Sequence, residues 1–182
     1  MRKLLPLVAI AAFALPSVAS AELAPGAKAP AFTARGAVAG KVFTVNLAQA
    51  LRKGPVVLYF YPKAFTQGCT LEAHAFAEAS GDFHAAGATV IGMSNDDLPT
   101  LQRFSTEACR DKFAVASATP AIVKAYDVDL VRDGKSTGFT KRTSYVIGQD
   151  GRVKLVHSDM DYKDHVRMTL DAVKAMKGKR KA

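Results

Sequence analysis

The sequence predicts an α/β fold, a central mixed β-sheet flanked by helices and built as a single domain, and three observations carry that reading. "PVVLYFYP" (55–62) is a nearly continuous apolar run rich in Val and aromatic residues, the composition of a strand covered on both faces. After it the apolar spacing switches to a helical period and then back to strand in "ATVIGMS" (88–94), so residues 55–94 form a strand-helix-strand unit whose strands should run parallel. "RTSYVIGQDGRVKLVHSD" (142–159) reads as two strands around Gln149-Asp150-Gly151, an antiparallel hairpin that makes the sheet mixed. The chain has 182 residues, 49% hydrophobic and 23% charged, enough for one substantial core and unlike disordered or fibrous chains.

The remaining elements follow in order. A linker "ELAPGAKAP" precedes two short strand runs, "AFTA" and "KVFTVNL", and "AQALRKG" forms a helical turn closed by Gly54. From Cys69, the residues Leu71, Ala75, Ala79 and Phe83 recur every fourth position, with Phe76 beside them and Gly87 as a C-cap, which predicts a helix of roughly four turns. Pro99 opens a second helix, "PTLQRFSTEA", "KFAVAS" reads as a strand, and Pro120 opens a short helix "PAIVKAYDV". The last helix, "DHVRMTLDAVKAM", aligns Val166, Leu170, Val173 and Met176 on one face.

Residues 1–21 read as a signal peptide ahead of a domain spanning 22–182. "MRKLL" is a short cationic start, Leu4–Leu15 an apolar segment, and "VASA" a small-residue cleavage pattern ending at Ala21. Twelve apolar residues interrupted by Pro6 fall short of the roughly 20 that span a bilayer, so cleavage and export, to the bacterial periplasm, are expected over retention as an anchor. Cleavage would lower the formal charge from +9 to +7. Five of the remaining positive residues lie in the tail 174–182, which reads as a solvated helix end; with no interleaved aromatic residues it does not suggest nucleic-acid binding. Nor does any later segment predict stable membrane insertion of the mature chain.

Cys69 follows the central strand where a helix begins. Open α/β sheets bind ligands beyond the carboxyl ends of their strands, and the partial positive charge of a helix N-terminus favours a thiolate, the nucleophilic form. Pro62, Thr66 and Cys69 reproduce the Pro-x3-Thr-x2-Cys motif of peroxiredoxins, and "YFYPKAFTQGCTLEA" resembles the branch typified by bacterioferritin comigratory protein and peroxiredoxin Q. "RTSYVIGQDGRV" is similar to the family's late strand, whose arginine, here Arg142, returns to the cysteine.

The resemblance implies a thioredoxin-like fold and a peroxidase with neither cofactor nor metal, taking a hydroperoxide as substrate and a thioredoxin-like or other dithiol protein as reductant. Cys69 would attack, Thr66 and Arg142 would donate hydrogen bonds along the peroxide, and Pro62 would shield the site. A magnitude supports a role for the donors beyond ionising the thiol. Lowering a thiol pKa from about 8.5 to about 6 raises the thiolate fraction at pH 7 roughly 30-fold, but a Brønsted slope near 0.45 weakens the nucleophile roughly 13-fold. The net gain is about twofold, so any large rate must come from stabilising the transition state.

Attack on a peroxide leaves a sulfenic acid, which over-oxidises unless a thiol captures it. In many members of the resembled branch that thiol lies five residues after the first cysteine; here His74 stands there. The resemblance therefore makes Cys109, the other cysteine of the chain, the expected resolving residue through an intramolecular Cys69–Cys109 disulfide, with capture by an external thiol as the alternative. A monomer or weak dimer is expected. Two rival functions remain: an exported binding module stapled by a structural Cys69–Cys109 disulfide, and a thiol-disulfide oxidoreductase on the same fold, disfavoured by the lack of a Cys-x-x-Cys pair. A metal site drawn from Cys69, His74 and His84 or His157 is weakly supported, because the histidines are scattered.

Overall fold

The computed structural model describes residues 22–179; the expected signal peptide, 1–21, lies outside them. The strands are β1 (Thr33–Val38), β2 (Lys41–Asn46), β3 (Val56–Phe60), β4 (Thr89–Ser94), β5 (Ala114–Ser117), β6 (Asp129–Arg132), β7 (Lys135–Thr140), β8 (Thr143–Ile147) and β9 (Val153–Ser158). The helices are α1 (Leu47–Lys53), α2 (Gln67–Glu78), α3 (Ser80–Ala85), α4 (Leu98–Glu107), α5 (Pro120–Ala125) and α6 (Lys163–Lys179).

Seven strands form one mixed sheet in the order β2-β1-β5-β4-β3-β8-β9. β3, β4 and β5 are parallel, as expected for the strand-helix-strand unit, while β8 pairs antiparallel with β3 and with β9. All five residues of β3 are buried, because alternate side chains enter two separate cores. Val56, Leu58 and Phe60 join Tyr126, Tyr145 and Ile147 on one side of the sheet. Val57 and Tyr59, with Tyr61 beyond the strand, join Cys69, Phe76, Phe104 and Val173 on the other, beneath α2, α4 and α6. Each large side chain so buried contributes roughly 1.5–3 kcal/mol, so the strand carrying the motif is also a large share of the core.

The helix starts are locally encoded. Asn46, Asp97 and Thr119 each accept a backbone N–H of the following helix, from Gln49, Thr100 and Ile122 respectively, and prolines sit in the first turns of α4 and α5. The expected linker is tied down: Gly26 N–H donates to Val153 O at 2.8 Å, and Val153 N–H to Ala27 O at 2.9 Å.

Four details differ from expectation. The long helix after Cys69 is broken at Ala79, whose N–H reaches both Ala75 O and Ala77 O, and α3 is a separate turn that buries Phe83. Its buried face is Cys69, Glu72, Ala73, Phe76 and Ala77, whereas Leu71 is exposed. The rotation follows from Glu72, which has a buried cation to meet. Between α5 and β8 an extra hairpin, β6–β7, turns at Asp133 and Gly134, both at positive φ (50° and 73°), a conformation that the Asp-Gly pair favours. The basic end of α6 is also less free than expected: Lys174 Nζ lies 3.2 Å from Asp82 Oδ2, and Lys177 Nζ donates to Ala85 O at 2.5 Å.

Candidate active site

β3 leads through Tyr61 and Pro62 into a short loop that ends at the start of α2. The loop is held from several sides. Tyr61 N–H donates to Met93 O at 3.0 Å, Thr140 Oγ1 donates to Tyr61 O at 2.7 Å, and Ala64 N–H donates to Asp96 Oδ2 at 2.8 Å. Phe65 adopts φ 63°, a strained value for a residue with a Cβ, and its ring is clamped by α4, edge-on to Phe104 at 5.2 Å with the Arg103 guanidinium 4.9 Å above it.

Thr66 is the extended N-cap residue of α2, but its hydroxyl donates to Lys63 O at 3.0 Å and caps no helical N–H. The first helical bond is Thr70 N–H to Thr66 O, so the N–H groups of Gln67, Gly68 and Cys69 have no acceptor within the helix. Cys69, one turn in, is 1% exposed. Helix start and thiol therefore coincide, as the sequence implies.

Arg142 comes from the position just before β8, 73 positions away, and is 5% exposed. Its Nη2 lies 3.4 Å from Cys69 Sγ, its Nε donates to Met160 O at 3.0 Å, and its Nη1 pairs with Glu72 Oε2. Gly68 leaves room for it, since a Cβ there would stand 3.3 Å from Arg142 Nη2. Despite its burial, the neighbouring Glu72 and Cys69 raise the guanidinium pKa, so Arg142 is charged.

Glu72 is the residue that the sequence reading overlooked. It is completely buried one turn after Cys69, and burial pushes its carboxyl up to about 8 against the opposing pull of Arg142. A detectable signal was present: positions 69, 72, 73, 76 and 77 have the spacing of a buried helical stripe, with one carboxylate inside it.

Cys109 lies just past α4, fully buried in the same apolar layer as Cys69, and both cysteines are free thiols. Burial, aided by Asp111, pushes the Cys109 thiol strongly up, so at rest it is protonated and a poor nucleophile. The hydroxyls of Tyr59 and Tyr61 are buried in this layer without hydrogen-bond partners among the described residues. His74 is half-buried on α2. His157 instead meets His165, with ring centroids 4.5 Å apart. Among the described residues no three His, Cys, Asp or Glu side chains converge as metal ligands.

A thiol at a helix N-terminus, in contact with a buried, charged arginine, is equipped to attack an electrophilic oxygen. Comparison with known proteins decides the family: residues 25–156 match the model of the AhpC/TSA family, a span that includes Cys69 and Arg142. The chain belongs to the AhpC/TSA family of peroxiredoxins. The chain is 32% identical over 158 residues to the chloroplastic peroxiredoxin Q of Suaeda salsa, covering 86% of this chain and 70% of that one. It is 30% identical to peroxiredoxin Bcp of Bacillus subtilis, over 68% of this chain and 80% of that one. Among solved structures, peroxidoxin BcpB of Mycobacterium tuberculosis superposes with a TM-score of 0.76 at 29% identity, covering 85% of this chain and 99% of that one. Peroxiredoxin Q of Xanthomonas campestris gives 0.69 at 27% identity, with coverage of 79% and 90%. This peroxiredoxin thus has the single-domain thioredoxin-like fold and is a thiol peroxidase, with a peroxide as substrate and a thiol as reductant. Among the described residues no helix is long and apolar enough to cross a membrane.

Proposed function

We propose that Cys69 is the peroxidatic nucleophile and that it reduces hydrogen peroxide and organic hydroperoxides. The observation that carries this is the 3.4 Å approach of Arg142 Nη2 to Cys69 Sγ at the first turn of α2. The thiolate attacks the terminal peroxide oxygen, an S–O bond forms as the O–O bond breaks, and the departing alkoxide or hydroxide takes up a proton to leave as alcohol or water. Arg142 opposes the charge growing on the departing oxygen, with Thr66 as a second donor and Pro62 as cover. For Thr66 to donate to a peroxide, its hydroxyl must leave Lys63 O.

Cys109 then attacks the Cys69 sulfenic acid, forming an intramolecular disulfide and releasing water, and a thioredoxin-like or other dithiol protein reduces that disulfide. Both are buried free thiols held within helical structure or its end, so the cycle includes local opening of the first turn of α2 and the end of α4, and Cys109 becomes a competent nucleophile as it leaves the apolar layer. The cationic start, apolar segment and small-residue site in residues 1–21 support export to a bacterial periplasm, where a disulfide cycle is sustainable. One experiment tests the cycle: peroxide consumption by wild type, Cys69→Ser and Cys109→Ser, with intact-mass and peptide mapping after one equivalent of peroxide. Turnover surviving in Cys69→Ser would remove the nucleophile, and a wild-type product without an intrachain disulfide would remove Cys109 as resolver.

A further inference from the structure

Glu72 gives one oxygen to Arg142 and turns the other toward α6. That second atom, Oε1, is buried without a hydrogen-bond partner among the described residues, and His165 Nδ1 stands 3.9 Å from it. His165 is completely buried, and both its ring nitrogens are engaged: Nε2 is 2.9 Å from Asp159 O and Nδ1 is 2.8 Å from Ser144 Oγ. A carbonyl oxygen only accepts, which assigns the ring proton to Nε2 and leaves Nδ1 as the acceptor of the Ser144 hydroxyl. The negative end of the imidazole dipole therefore points at the unpartnered oxygen of Glu72.

The fold assembles this cluster from four elements. Arg142 immediately precedes β8 and Ser144 lies within it, their side chains reaching Glu72 and His165 respectively; Ser144 is paired directly across from His157 on β9, and His165 descends from the first turn of α6. The titratable and charged groups around Glu72 are Arg142 from the β8 side, His165 from α6, His157 behind it on β9, Tyr59 on β3 and Cys69 on its own helix.

We propose that His165 is a positioning residue of this site, whose Nδ1 favours a protonated Glu72 and thereby leaves the charge of Arg142 available to Cys69 and the peroxide. The physical reason is electrostatic. A carboxylate facing the Nδ1 lone pair is repelled, whereas a carboxylic acid can turn its O–H toward it. An ionised Glu72 would neutralise Arg142, and the guanidinium would then do less for a thiolate or for the departing oxygen. Burial acts in the same direction, holding His165 neutral by lowering it to about 4 while raising Glu72 to about 8. Ser144 works against His165, because its hydroxyl donates into the same lone pair and weakens it. The inference rests on Cys69 as nucleophile and Arg142 as its donor.

Two substitutions at one position separate this role from simple anchoring. His165→Gln keeps a donor near the Nε2 position, for Asp159 O, and removes the acceptor at Nδ1; His165→Asn does the reverse. The measurement is kcat/KM for peroxide consumption against pH, with thermal unfolding of the same samples. His165→Gln should move the acid limb to higher pH by about one unit, His165→Asn should hold the wild-type limb despite its lost anchor, and Ser144→Ala should move the limb to lower pH. Equal shifts in the two His165 variants, or none in either while both lose thermal stability, would overturn the proposal. Should His165→Gln fail to fold, Ser144→Ala decides alone: a limb that does not move toward lower pH overturns it. Failure of the underlying reading shows separately, as turnover that survives in Cys69→Ser.

Discussion

Arg142 meets Cys69 at 3.4 Å, and that approach is set by groups on other elements: Glu72 grips one end of the guanidinium and the Met160 carbonyl holds its Nε. A positioned donor of this kind costs no reorganisation when charge develops during reaction.

Replacing Arg142 by Met should therefore lower kcat/KM for peroxide by about 10²–10³-fold, the loss typical of a removed transition-state donor. The thiolate fraction of Cys69, followed by ultraviolet absorbance, should change far less. Equal losses in both would make the arginine an ionising group only.

Stability should fall as pH rises through about 8. Glu72 is raised from 4.5 to about 8 in the folded protein, so between these values the folded state binds a proton that the unfolded chain has released. Its contribution is complete below 4.5 and lost by about 8. His165, lowered from 6.5 to about 4, has the opposite slope over its own range, so Glu72 is best read above pH 6.5. Denaturant unfolding of wild type between pH 6.5 and 8.5 should show this decline, and Glu72→Gln, which removes the titrating group, should flatten it.

Oxidation by one equivalent of peroxide should loosen two segments together. Phe65 in the active-site loop is clamped by Phe104 and Arg103 of α4, the helix that precedes Cys109, and Arg110 is paired with Glu78 at the end of α2. Hydrogen exchange should accelerate in both the start of α2 and residues 107–112 of the disulfide form, and return to the dithiol rates after reduction. Acceleration confined to α2 would indicate that α4 takes no part.

Gly92→Ala should destabilise the protein through the layer that packs behind the site. A Cβ at this β4 position would lie 2.8–2.9 Å from the ring and hydroxyl of Tyr59, which is itself stacked on Phe76 at 4.3 Å and has nowhere to go. A cost of about 1–3 kcal/mol, or roughly 2–10 °C in Tm, is expected from differential scanning calorimetry.

The sequence by itself determined the parts whose physics is local. The apolar run of β3 demanded cover on both faces, the return of strand pattern at 88–94 made the crossover parallel, and Asn46, Asp97 and Thr119 started their helices with their own side chains. The thiol could be placed at a helix start because strand, proline and helical period adjoin within about a dozen letters. Arg142 was legible only through its resemblance to a family motif, since no period marks one arginine in a strand as different from a surface charge. The Asp133-Gly134 turn was a local signal that went unread, and the missed break at Ala79 and exposure of Leu71 came from following a single apolar stripe at every fourth residue as far as Gly87.

Tertiary structure decided which polar groups are interior. A buried carboxyl is costly in isolation and tolerable beside a hydrogen-bond donor, and the donor for Glu72, Arg142, arrives just before β8, 70 positions later. The same holds for His165, whose two hydrogen-bond partners and whose view of Glu72 come from β8, from the turn before α6 and from α2. Spacing along a chain records faces and caps, but the energetic reason to bury a polar group lies in the partner that folding brings to it.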